Sequence, residues 1–140
     1  MHSNIFVLDS EVTDDEIFEG LQSYISYADY VRKIDNELVK KEYKWFTSVT
    51  NLPIDGDTLV LTKDAVNDYW LEKFDNFRSE LEKFGLYVET RRELISLLND
   101  ERGFYIFYGG CMYTLDDFME YRYNKSGDSF TIYSVYDYHC

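Results

Sequence analysis

The sequence predicts an α+β domain, a small, largely antiparallel sheet packed against two or three helices. Two observations carry that reading. Apolar residues recur at helical spacing behind two capping boxes, "TDDE" at residues 13–16 and "TRRE" at residues 90–93. Around them lie short apolar or alternating runs, "IFVLD", "GFYIFYGG" and "SFTIYSVYDYH", each bounded by turn residues, which is strand chemistry. The chain has 140 residues, 45% of them hydrophobic, and a single proline. That is enough apolar matter for one compact domain over 1–140 and too little punctuation for long irregular loops.

Taken in order, "IFVLD" (residues 5–9) reads as a short buried strand. Thr13 then caps a helix, with Glu16 completing the box and Asp14 and Asp15 at the positive end of the helix dipole. Ile17, Leu21, Tyr24, Ile25, Ala28, Val31, Ile34 and Leu38 keep helical spacing, so the helical pattern extends towards Trp45, with room for a break near residues 26–29. "NLPIDGDT" is a turn punctuated by Pro53 and Gly56, and "TLVLT" is a strand. Thr62 caps a second long helix with a buried stripe of Val66, Trp70, Phe74, Phe77, Leu81 and Phe84, and Gly85 stands at its C′ position. "LYVE" follows as a short strand. Thr90 opens a third helix that Gly103 ends. "GFYIFYGG" is a strand of alternating aromatics closing on a glycine turn, and "TLDDFMEYRY" is a short helix capped by Thr114. In the last strand Phe130, Ile132, Tyr136 and Tyr138 face one way, and Thr131, Tyr133, Val135 and Asp137 the other.

Charge bounds the partners. There are 27 acidic residues against 14 basic ones, a net charge of −13, which repels nucleic acid and anionic lipid. The longest basic runs, Arg32-Lys33, Lys40-Lys41 and Arg91-Arg92, are pairs mixed with carboxylates, so direct nucleic-acid binding is not expected. A partner chosen by electrostatics should be basic. No apolar stretch has membrane-spanning length, and the N-terminus has neither a basic region nor a small-residue cleavage site. A cytoplasmic protein is expected, with Cys111 and Cys140 as reduced thiols.

The reactive side chains form no motif that requires an enzyme, and none is expected. Acids gather in "TDDEIFE" and "TLDDFME", where capping and the helix dipole account for them. "DGDT" begins like a calcium loop, but the twelfth position holds Val66 instead of an acid. His2, His139, Cys111 and Cys140 match no recurrent zinc spacing, so no metal or other cofactor is assigned. A Cys111–His139 nucleophile pair is the enzymatic alternative, though acidic surroundings raise a thiol pKa.

Tyrosine and carboxylate are what remain. Eight of the fourteen tyrosines fall between Tyr105 and Tyr138, and the first 31 residues hold seven acids and no Lys or Arg. Tyrosine offers contact area at low entropy cost, and carboxylate selects a basic partner. The expected function is therefore an acidic inhibitor or decoy. It would bind a basic nucleic-acid-handling protein, its carboxylates standing in for backbone phosphates. In general character the chain resembles small acidic inhibitors such as phage-encoded anti-restriction and anti-CRISPR proteins, a likeness of composition rather than of any motif. An immunity protein that neutralises a nuclease toxin is the alternative. The contact residues expected are Asp14, Asp15, Glu16 and Glu19 on the first helix and Asp116, Asp117, Glu120, Tyr121 and Tyr123 on the late one. A monomer or a homodimer is compatible with this pattern.

Overall fold

The structure is a computed structural model, describing residues 2–25, 30–84, 103–123 and 129–139. In chain order its elements are β1 (His2–Val7), α1 (Asp14–Gln22), β2 (Tyr30–Lys33), α2 (Asn36–Thr50), β3 (Ile54–Asp55), β4 (Thr58–Val60), α3 (Lys63–Phe84), β5 (Phe104–Tyr108), β6 (Cys111–Thr114), α4 (Leu115–Tyr123), β7 (Ser129–Thr131) and β8 (Ser134–His139). The class is the α+β one that the sequence predicts. Five strands form a mixed sheet in the order β2-β8-β1-β5-β6, antiparallel except where β1 runs parallel to β5. A second, antiparallel sheet has the order β3-β4-β7.

The large sheet is covered on both faces. Ile5, Val7, Tyr105, Phe107, Tyr136 and Tyr138 pack on one side with Ile17 and Leu21 of α1. On the other side Phe6, Phe104, Ile106 and Val135 meet residues of α2, α3, α4 and the small sheet. Phe46 stands edge-on to both Phe6 and Phe104, with ring centroids 4.9 and 5.0 Å apart. Rings buried this completely each contribute on the order of 2–3 kcal/mol through area removed from water. Double coverage also explains β5, whose first four residues are all buried, because a strand with no solvated face needs no polar alternation.

Three expectations are corrected. The helical pattern does not extend from α1 to Trp45. Tyr30–Lys33 form edge strand β2, and α2 starts afresh after Asp35, leaving Leu38 exposed. Val31 still packs towards the α1 side, so one apolar residue satisfied both the helical and the extended reading. The last strand is two. The Ile132 N–H donates to the Asp57 carbonyl and the Tyr133 N–H to the Val7 carbonyl, so the chain leaves the small sheet there and joins the large one. Sidedness shifts at that corner: Ile132 and Val135 share a core, while Tyr136 and Tyr138 point into the opposite one. Among the described side chains of α3 the buried positions are Val66, Tyr69 and Lys73, while Phe74 is exposed. The strand at residues 86–89, the helix from Thr90 and the Gly85 cap lie outside the described residues.

Candidate interaction surface

Helix α1 holds the first expected contact group. Thr13 Oγ1 accepts the Glu16 N–H at 3.2 Å, as the capping box predicts. Ile17 and Leu21 fasten the helix to the sheet and leave Asp14, Asp15, Glu16 and Glu19 exposed. Glu11 on the approach is exposed as well, and neither the helix nor its approach carries a basic residue. Asp14 has an internal task too, since its Oδ1 accepts the Tyr136 hydroxyl at 2.8 Å. Burial chiefly, and then the Asp14 hydrogen bond and charge, push the Tyr136 hydroxyl up to about 12. Just past α1 stands Tyr24, an exposed ring whose hydroxyl donates to the Met112 carbonyl at 3.0 Å. Its contact lies on edge strand β6, so the ring is held in a fixed position at the border of the acidic surface.

Helix α4 holds the second group and splits it. Thr114 Oγ1 accepts the Asp117 N–H at 3.1 Å, the expected cap. Asp117 and Glu120 are exposed. Asp116 is turned inward. Its Oδ1 accepts the Tyr69 hydroxyl at 2.7 Å and its Oδ2 pairs with the buried Lys73 ammonium. That ammonium also lies 5.3 Å from the centre of the Trp70 ring, so α3 and α4 are joined by a charge seated among aromatics. Tyr121 is half-buried and belongs to an aromatic group with the half-buried Tyr108 and Tyr113 and the fully buried Phe118. The side chain of Tyr123 lies outside the described residues.

The two acidic groups are not brought together. Leu115, Phe118 and Met119 fix α4 to the face of the large sheet opposite α1. No family model, curated protein or solved structure matches this chain. The surface must be judged on its own chemistry.

Two other features bear on function. Cys111, exposed at the β5–β6 hairpin, lies on a strand separated from that of His139 by β1 and β5. The register puts the two residues near opposite ends of the sheet, so they do not form a nucleophile pair. Among the described residues no cluster of three or more His, Cys, Asp or Glu is placed to hold a metal ion, and no helix is long and apolar enough to cross a membrane. The sequence reading passed over a polar row on the α2 side of the sheet, containing Asn4 and Asp137, both buried. The sequence carries a signal for it: Asn4 directly precedes the apolar run "IFVL", and Asp137 stands between Tyr136 and Tyr138 in the last strand.

Proposed function

We propose that this protein is an acidic inhibitor or decoy acting in the cytoplasm on a basic, nucleic-acid-handling protein, and that α1 is its principal contact. One observation supports this above others: Glu11, Asp14, Asp15, Glu16 and Glu19 are all exposed along one short helix and its approach, with no cation among them. Same-sign charge on a rigid helix steers a positively charged groove towards it, and exposed Tyr24 at its border supplies an aromatic anchor. Asp117 and Glu120 form a separate, lesser acidic site on the other face.

The test is affinity capture of host proteins at low and high salt, repeated with the triple variant D15K/E16K/E19K and with D117K/E120K. Capture of a basic protein that is released by salt, displaced by excess duplex DNA and lost in the α1 variant bears the proposal out. Capture that survives the α1 reversal, or no basic partner at either salt, would sink it. A captured nuclease toxin would identify the immunity form of the same chemistry.

A further inference from the structure

Acids outnumber bases 27 to 14 in the whole chain, yet residues 32–44 invert that balance. They hold Arg32, Lys33, Lys40, Lys41 and Lys44, five of the fourteen basic residues, against Asp35, Glu37 and Glu42. All five cations are exposed, and none pairs with a carboxylate among the described residues. Glu42 is turned towards the sheet, its Oε2 accepting the Asn4 Nδ2–H at 2.7 Å. The fold gathers the cations on one surface. Val39, Tyr43 and Phe46 seat α2 on the core, which leaves Lys40, Lys41 and Lys44 on its solvent side. Lys41 and the exposed Leu38 also line the cleft beside β2 with Arg32 and Lys33, so strand and helix cations form one continuous face around an apolar contact.

Lys40 and Lys44 stand one turn apart, a like-charge spacing that weakens a helix and that an anion laid across it relieves. Asp15 and Glu19 of α1 repeat the spacing with the opposite sign. In each helix a further exposed charge of the same sign, Lys41 or Glu16, follows the first of the pair by one residue. The two charge rows therefore match in span, about 6 Å along the helix axis. They cannot meet within one chain, because α1 packs on one face of the large sheet and α2 on the other.

We infer that the α2 face docks the α1 helix of a second copy of this chain, so that copies associate head to tail. A contact between two different surfaces leaves one of each free at the ends, so growth continues past the dimer into open chains or closes in a ring. A helix of 9 residues covers less than the roughly 1,200 Å² of a stable interface, so the association is weak and depends on concentration. The net charge of −13 opposes it at long range. At about 0.1 M salt that repulsion is screened beyond about 10 Å, while opposed charges at contact are not. The α1 carboxylates are shared with the proposed function, but self-association does not rest on that reading.

Sedimentation velocity of the purified full chain, over a dilution series up to about 1 mM in about 0.1 M salt, tests this with no host protein present. The wild type should show a weight-average mass that rises with concentration. K40E/K44E should weaken association by more than about tenfold. K63E/R78E, which alters two exposed cations of α3 and carries the same net charge, should associate like the wild type. D15K/E19K should also lose association although its net charge is smaller, the reverse of what general repulsion predicts. An equimolar mixture of K40E/K44E and D15K/E19K should associate again, because basic faces then meet acidic ones. A wild type that stays monomeric throughout the series overturns the inference. So does equal loss in the two cation variants, K40E/K44E that associates like the wild type, or a mixture that stays monomeric. K40E/K44E leaves α1 intact, so its capture of a basic host protein reads the proposed function separately.

Discussion

Asp116 and Lys73 show how differently a residue reads in sequence and in place. Asp116 belongs by sequence to a string of helix-start acids, and Lys73 sits between the predicted apolar positions Trp70 and Phe74. Packing pairs the two between α3 and α4, because a buried ammonium requires a carboxylate and its aliphatic stem can lie along aromatic rings. Nothing local in the sequence announces a contact made across 43 positions. Tyr136 is a similar case and can be tested through pH. Its hydroxyl is raised from the ordinary 10.0 to about 12, by burial first and by Asp14 second. A tyrosine whose folded pKa exceeds its unfolded value holds its proton more tightly in the folded state. Its contribution is therefore complete below about pH 10 and is lost as pH rises through about 12. Thermal unfolding followed across that interval should show the wild type losing stability more steeply than Tyr136→Phe. Curves that stay parallel throughout would mean that this hydroxyl is not linked to folding. Tyr43 and Tyr113, also raised by burial above all, remain in both proteins and cancel from the comparison.

At the scale of elements, what could be read was what is locally determined. The β5–β6 hairpin is the clearest instance. Its two-residue turn needs positive φ at both positions, and Gly109 and Gly110 supply 62° and 75°. Asp9 then anchors the turn to the chain after β1, its two carboxylate oxygens accepting the Gly109 and Gly110 N–H groups at 2.9 and 3.0 Å. A Cβ added at Gly110 would meet nothing within 4 Å, so Gly110→Ala tests backbone conformation by itself. It should lower stability by about 1–2 kcal/mol, seen as a reduced denaturant midpoint at unchanged slope. The caps at Thr13, Thr62 and Thr114 were legible for the same reason, since each is a side chain bonding a backbone three residues on. β2 was not, because four residues with one apolar position fit a helix as well as a strand and only pairing with β8 decides. The corner at Ile132 and Tyr133 was equally hidden, its hydrogen bonds reaching to Asp57 and Val7. In the candidate surface the exposure of α1 followed from its periodicity. The separation of α1 from α4 by the sheet followed from topology, which no stretch of sequence contains.

For the whole molecule the question is whether a net charge of −13 is merely tolerated or is used, and α1 allows the two to be separated. Asp15 and Glu19 are both exposed on that helix, and replacing either by lysine moves the net charge from −13 to −11. If general self-repulsion governed stability, the two substitutions would help alike. Their positions predict otherwise. Asp15 lies in the first turn, where the helix dipole favours an anion, whereas Glu19 begins a last turn that has no basic residue to complement the dipole. Asp15→Lys should therefore lower stability by about 0.5–1 kcal/mol, and Glu19→Lys should raise it by about 0.5 kcal/mol, both measured by denaturant unfolding at low salt and both shrinking as salt is added. Recognition imposes a different pattern on the same pair, because each lysine removes a carboxylate from one surface and puts a repelling charge there. Both variants should lose affinity for a basic partner, chiefly through slower association. A Glu19→Lys protein that is more stable and binds less well would mean that this carboxylate is kept at the expense of the fold. Were it more stable and unimpaired in binding, the acidic helix would be no more than solvated surface.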